Sequence, residues 1–293
     1  MRNLKKILAL VLAMVMTLSV MSVAGAFTDD ESISANYKEA ADVLSGLKVF
    51  QGRPDGSFDP KGSITRAEVA AIIYRIATAD VDNKQVGIYA DYNKFPDVTS
   101  DKWYAGYVNY CANAEYVKGR PDGKFDPDAT VTGYEALAMI LRAIGYDKNG
   151  EFTGPNWSIN TASIAKQRHI TDKVAEGTLN TAASREVVAE LLFKTILVNT
   201  VTYTPAFGYN ENKTSLGYDK FSLEYIEGVV TGNEWADLYD VAPMAEGKTQ
   251  LGDRVLNVTT AITDIGEARY AYVSGKTVYA MGDTGTNTVV QTG

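Results

Sequence analysis

GRPDGSFDP at residues 52–60 returns as GRPDGKFDP at residues 119–127, with Lys124 in place of Ser57. Connecting loops are the segments freest to vary, so a loop kept across 67 positions marks an internal repeat. Pro54 and Pro121 fix φ, Asp-Gly reverses the chain, Phe58 and Phe125 are placed to plug inward, and Asp-Pro delays the next helix. Asp55 and Asp59 lack the alternating acidic ligands and closing Glu of an EF-hand, so the loop reads as a turn rather than a calcium site.

The same periodicity flanks both loops. Ile33, Tyr37, Ala40, Ala41, Leu44 and Leu47 precede the first at helical spacing, and Val69, Ile72, Ile73 and Ile76 follow it. The second copy runs from Phe95-Pro96-Asp97-Val98 through Trp103, Tyr107, Tyr110 and Cys111 to its loop, then Leu137, Ile140, Leu141 and Ile144. A third, eroded copy is expected between about Trp157 and Leu197. Its first helix is placed at Ile164–Ile170, and Ser184-Arg185-Glu186 opens its second, with Val188, Leu191, Leu192 and Phe193 on one side. The loop between them, 171–183, has lost the signature. Residues 79–94 read as a polar insertion without an apolar period.

From about Val201 the pattern turns alternating. Val255–Thr260, Ala268–Val273 and Thr277–Met281 read as strands, Ser274-Gly275 as a hairpin turn, and Thr288–Val290 as another strand-like run. The expected fold class is therefore α+β. Helix-loop-helix copies at 27–78, 95–147 and 148–199 form an all-α part, and 200–293 is a small β-rich region that reads as the front of a longer protein.

Arg2, Lys5 and Lys6, the apolar run Ile7–Val23 and the small residues Ala24-Gly25-Ala26 have the form of a secretory signal peptide over 1–26, with cleavage expected before Phe27. The expected product is exported, with no transmembrane segment after cleavage. The chain has 28 basic against 36 acidic residues, a net charge of −8, and losing the leader makes it more acidic still. That balance argues against nucleic acid as a partner, since such affinity comes from neutralising phosphates. Cys111 is the only cysteine and His169 the only histidine. No intramolecular disulfide can form, and Cys111 reads as a small buried residue. His169 reads as a surface residue rather than a catalytic one. No cofactor, metal or catalytic constellation is expected, and the chain is read as a non-enzyme.

Each loop leads into a helix start. In Ile64-Thr65-Arg66-Ala67-Glu68, Thr65 is an N-cap and Glu68 can close a capping box, a pairing that Thr132 and Glu135 repeat. The cap leaves Arg66 unexplained, because a cation in a first helical turn opposes the macrodipole. Either it forms a salt bridge with a neighbouring Asp, or with free backbone amides it forms an anion site.

FPDV followed by Trp, then GRPDGKFDP, together with the ITRAE helix start, resembles the S-layer homology (SLH) domain of bacterial cell-envelope proteins over about Phe27–Val198. The resemblance implies three repeats in a pseudo-threefold bundle whose grooves hold secondary cell-wall polysaccharide, often pyruvylated. Arg66 matches the arginine of the family's TRAE motif and Arg185 is its counterpart in the third copy, both implied glycan ligands. Copy two departs, with Gly133 at that position, so its groove is expected to bind weakly or not at all. Asp97 and Trp103 match the FPDV and Trp positions, and Trp103 is placed to stack on a sugar face or to join the core. Gly52 and Gly119 match the loop glycines and would let a sugar approach the backbone. Arg66→Ala is then expected to weaken wall binding and spare the helical content. The implied protein is secreted and held at the cell wall or S-layer, with secondary cell-wall polysaccharide or peptidoglycan as partner and self-assembly into a surface lattice as a further prospect. The alternative is the anchoring part of a surface enzyme whose catalytic domain is absent from this chain.

Overall fold

The computed structural model describes residues 27–221 and the backbone of six later strands, at 224–230, 248–251, 254–257, 268–274, 277–282 and 287–292. The leader, 1–26, lies outside the described residues, as do Gly275 of the expected turn and Val258–Thr260 of the first expected strand. Six helices build the α part: α1 (Ala35–Gly46), α2 (Arg66–Thr78), α3 (Ala105–Asn113), α4 (Gly133–Ala143), α5 (Trp157–Gln167) and α6 (Arg185–Leu197). No helix among the described residues is long and apolar enough to cross a membrane.

The three copies meet around one axis through their backbones. The short segments before α2, α4 and α6 exchange hydrogen bonds in a closed ring: Ile64 N donates to Ala183 O (3.2 Å), Ala183 N to Val131 O (2.8 Å) and Val131 N to Ile64 O (3.1 Å). One turn outward the ring repeats, with Arg66 N to Ala129 O (2.9 Å), Gly133 N to Thr181 O (3.3 Å) and Arg185 N to Gly62 O (2.9 Å). Ile64, Val131 and Ala183 are buried at its centre. Each buried amide thus finds its partner in a neighbouring copy, so the pseudo-threefold arrangement is a requirement of backbone satisfaction as well as of packing.

The loops fold as read. Gly56 N donates to Arg53 O and Gly123 N to Arg120 O, both at 2.9 Å, and Gly56 (φ 83°) and Gly123 (φ 82°) occupy the left-handed region that a side chain resists. Phe58 and Phe125 are fully buried. Asp55 and Asp122 accept backbone N–H groups two residues on, from Ser57 and Lys124, which is turn chemistry.

Two expectations need correction, and one alternative is decided. Copy three's first helix is α5, beginning at Trp157, earlier than Ile164; it buries only Thr161 and Ala165, so it leaves little apolar period to read. The 79–94 insertion is an ordered wedge. Its 3-10 turn, Val86–Tyr92, lies along α3 so closely that a Cβ on Gly106 would fall 2.2 Å from Val86 O. Buried Asn109 ties it down by donating to Tyr89 O and Ala90 O (3.0 Å each). Trp103 lies on the surface, not in the core, at 59% exposed.

After α6 the chain forms a hairpin, β1 (Asn199–Thr204) and β2 (Gly208–Ser215), and a short helix α7 (Leu216–Phe221). The hairpin docks on the end of copy two: Val201 N donates to Ile144 O (2.8 Å), and Tyr209 packs on Tyr146 at 4.9 Å. Further on, β3 (Glu224–Val230), β6 (Ala268–Ser274), β7 (Thr277–Gly282) and β8 (Asn287–Thr292) form an antiparallel sheet in the order β3-β6-β7-β8, and β4 (Lys248–Leu251) pairs with β5 (Arg254–Asn257). The fold class is α+β.

Candidate functional site

The site grows out of the helix starts. In α2, Glu68 N donates to Thr65 Oγ1 (3.2 Å) and Thr65 N to Glu68 Oε2 (2.8 Å), a complete capping box. Thr132 and Glu135 repeat it in α4 at 3.2 and 2.9 Å. Each box uses one carboxylate oxygen for the cap and leaves the other free to face a neighbour.

The arginines cross from one copy to the next. Arg66, 6% exposed, donates through Nε to Phe125 O (2.7 Å) and through Nη2 to Lys118 O (2.9 Å), with its guanidinium 4.7 Å from the Phe125 ring centre. Arg185, 3% exposed, repeats this on copy one, with Nε to Phe58 O (2.7 Å), Nη2 to Gln51 O (3.0 Å), and Phe50 and Phe58 beneath it. Each therefore clamps the GRPDG loop of the adjoining copy. Burial pushes both below the usual arginine range, abetted by Arg120 at Arg66 and by Arg53 at Arg185, and both stay cationic at neutral pH.

Above each buried arginine lies a half-exposed one. Arg53 pairs with Asp59 (3.1 Å) and with Glu68 Oε1, which also faces Arg185 at 3.5 Å. Arg120 pairs with Asp126 (3.1 Å) and with Glu135 Oε1 (3.2 Å), which lies 3.9 Å from Arg66. The result is two equivalent seams, Arg185–Glu68–Arg53 between copies three and one and Arg66–Glu135–Arg120 between copies one and two. Neither alternative for Arg66 holds as framed: the acid it faces is Glu135 rather than an Asp, and the first-turn amides of α2 are already taken, Arg66 N by Ala129 O, Ala67 N by Pro127 O and Glu68 N by Thr65 Oγ1.

The remaining sequence-predicted residues shape the loops. Asp97 accepts from Phe125 N (2.9 Å) and Asp126 N (2.7 Å). Its partial burial would raise its pKa, but these two amides outweigh that and hold it below the usual carboxylate range. In copy one Asp29 makes the equivalent pair of bonds, accepting from Phe58 N (2.7 Å) and Asp59 N (2.8 Å). The space over Gly52 and Gly119 is filled by the chain itself: an added Cβ would meet the Phe27 ring at 2.8 Å and the Phe95 ring at 2.6 Å. Close approach is the reason for these glycines, but the group that approaches is a phenyl ring, not a sugar. Trp103 stands on the surface of copy two with Tyr104 and Tyr107 beside it at 5.5 and 6.1 Å.

The third junction is different. Gly133 stands where Arg66 and Arg185 stand, and a Cβ there would lie 2.7 Å from both Cα and Cδ2 of Leu179. Leu179, from the 3-10 turn Glu176–Asn180 in the eroded loop, is buried and occupies the arginine's place. Copy three's glutamate has also moved by one residue. Glu186 makes no capping box and instead accepts from Ser34 N and Oγ and pairs with Lys61.

Two cavities open at matching places beside the loops. One of about 490 Å³ is bordered by Phe27, Phe50, Gln51, Gly52, Lys48 and Asn83. The other, about 420 Å³, is bordered by Val117, Lys118, Glu115, Asp147 and Lys148. Gln51 and Lys118 are the residues whose carbonyls the buried arginines hold, so each cavity shares a wall with a seam. Sequence reasoning passed over Arg53, Arg120 and Asp29. The signal for the first two was present, because the turn needs Pro, Asp and Gly but has no use for an arginine kept in both copies.

A model of the S-layer homology domain matches residues 26–70 and 94–137. This chain carries S-layer homology domains. The two matches take in both GRPDG loops and both capping boxes. Among curated relatives, it is 28% identical over 288 residues to the Middle cell wall protein of Brevibacillus brevis, covering 92% of this chain and 26% of that protein. It is 34% identical over 162 residues to the Surface layer protein of Brevibacillus choshinensis (54% and 14%), and 31% identical over 105 residues to the Cellulosome-anchoring protein of Acetivibrio thermocellus (36% and 23%). The chain thus spans about a quarter or less of the length of these relatives. The third SLH-like copy lies outside the matched residues, in keeping with its altered loop and shifted glutamate.

Proposed function

We propose that this chain anchors an exported surface protein to the bacterial cell wall, with its two ionic seams holding an anionic, pyruvylated secondary cell-wall polysaccharide. The observation that carries this reading is the duplicated network itself, in which a half-exposed arginine sits at the surface over a buried one that fixes the loop. In this reading Arg53 and Arg120 are the ligand-facing cations, able to exchange the more exposed Asp59 or Asp126 carboxylate for a ligand carboxylate at small cost, since exposed pairs are worth little. Arg66 and Arg185 support them from below, and Trp103 offers an aromatic face to a sugar. Two modest sites on one polymer give slow release through avidity. The role is binding rather than catalysis, and the polypeptide so anchored is a lattice-forming surface protein in preference to a surface enzyme. The relatives named for the cell wall and the surface layer support that choice.

The test is co-sedimentation of the chain with purified cell walls before and after acid extraction of the non-peptidoglycan polymer. Loss of binding on extraction is expected. Binding that survives would assign peptidoglycan instead, and no binding to either preparation would refute anchoring. Arg120→Ala is expected to weaken wall binding about 10-fold while shifting the thermal midpoint by less than about 3 °C.

A further inference from the structure

The three copies are joined along the chain at two junctions only. The third, where copy three returns to copy one, closes through non-covalent contact alone, with α6 packed on α1. Glu190 lies in this contact. It is 0% exposed, and neither carboxylate oxygen has a hydrogen-bond partner among the described residues. A buried carboxylate in that condition carries a heavy desolvation cost, whereas the neutral acid carries far less.

The charged groups around it do not remove the difficulty. Lys173 in the loop before α6 and Lys194 on α6 itself favour the ionised form, and Glu39 on α1 opposes it, but burial is the largest influence and raises Glu190 above its ordinary value. Lys173 is already engaged by Glu39 at 3.5 Å. Tyr37 of α1 faces Glu190 and Glu186 and directs its hydroxyl to Lys173 O (3.4 Å). On the same helix Asp42, 2% exposed, is pushed up to about 6 by burial in spite of the Lys38 ammonium at 2.6 Å and with Asp30 and Glu39 adding to the rise. Glu186, at the start of α6, is held by Ser34 and Lys61. Acidic groups therefore crowd the one junction that no peptide link holds.

We propose that the α1–α6 contact is a pH-sensitive latch, closed while Glu190 is buried as the neutral acid and loosened when it ionises. The folded chain binds a proton that the unfolded chain releases. Its stability is then full below the ordinary carboxyl range, near 4.5 for Glu, and declines as pH rises through the raised folded value, with Asp42 adding the same sign up to about 6. The His169 side chain is 82% exposed and faces Asp172, away from the α1–α6 contact, so it is a bystander. The latch is a property of the bundle and stands apart from the ligand assignment.

The experiment is thermal unfolding of the whole chain at pH 5 and pH 8, with hydrogen exchange followed helix by helix. The wild-type midpoint is expected to fall by about 3 to 8 °C between the two, and Glu190→Gln to remove at least half of that fall, with His169→Gln leaving it unchanged. At pH 8, residues 35–46 and 185–197 are expected to lose protection before 66–78 and 133–143. An equal fall in Glu190→Gln, or a loss of stability in that variant at both pH values, would overturn the latch. Should the variant fail to fold, the wild-type exchange order decides alone, and simultaneous loss in all four helices would overturn it.

Discussion

Arg66→Ala is expected to lower the stability of the bundle by about 3–5 kcal/mol, visible as a large drop in thermal midpoint together with lost wall binding. The guanidinium is 6% exposed and serves Phe125 O and Lys118 O at once. Truncation leaves both carbonyls without their donor, removes the cation over the Phe125 ring, and opens a void between copies one and two. An arginine that was purely a surface ligand could be removed without structural consequence, as the sequence suggested. One that carries the neighbouring loop cannot. The same substitution at Arg185 should behave alike, since its contacts with Phe58 O and Gln51 O have the same lengths within 0.1 Å. A midpoint within 2 °C of wild type for Arg66→Ala would show that the buried clamp is not what holds the seam.

Gly133→Arg restores the family residue to copy two, and it is expected to damage the fold rather than create a third seam. The new Cβ would lie 2.7 Å from the Leu179 Cα and 3.1 Å from its carbonyl oxygen, so backbone must move, not only a side chain. A cost of about 3 kcal/mol is the expected scale for overpacking of this kind, with lowered midpoint and unimproved wall binding in the same variant. A stable Gly133→Arg protein that binds walls more tightly would mean that the loop can withdraw Leu179 and form a junction like the other two.

Much of this was legible because it is local. The GRPDG turn, both capping boxes and the inward Phe58 and Phe125 depend on residues a few positions apart, and the physics of turns and caps acts over that range. The destination of each arginine was not legible. Arg66 acts on a loop 52 to 59 residues away and Arg185 on one 127 to 134 away, and nothing near either residue announces which copy it will meet. The glycines misled for a related reason: Gly52 and Gly119 report that something comes close, but only the fold shows that it is Phe27 and Phe95. Helix α5 was placed late because it buries only Thr161 and Ala165, and the 79–94 wedge was missed because a 3-10 turn held by Asn109 has no apolar period.

In the proposed reading two seams, and not three, hold the wall polymer. Calorimetric titration of the chain with size-fractionated fragments of the acid-extracted polymer tests it most directly. The account predicts two sites per chain for the wild type and one for Arg120→Ala, which leaves the Arg53 seam intact. Three sites, or two sites retained in Arg120→Ala, would contradict it.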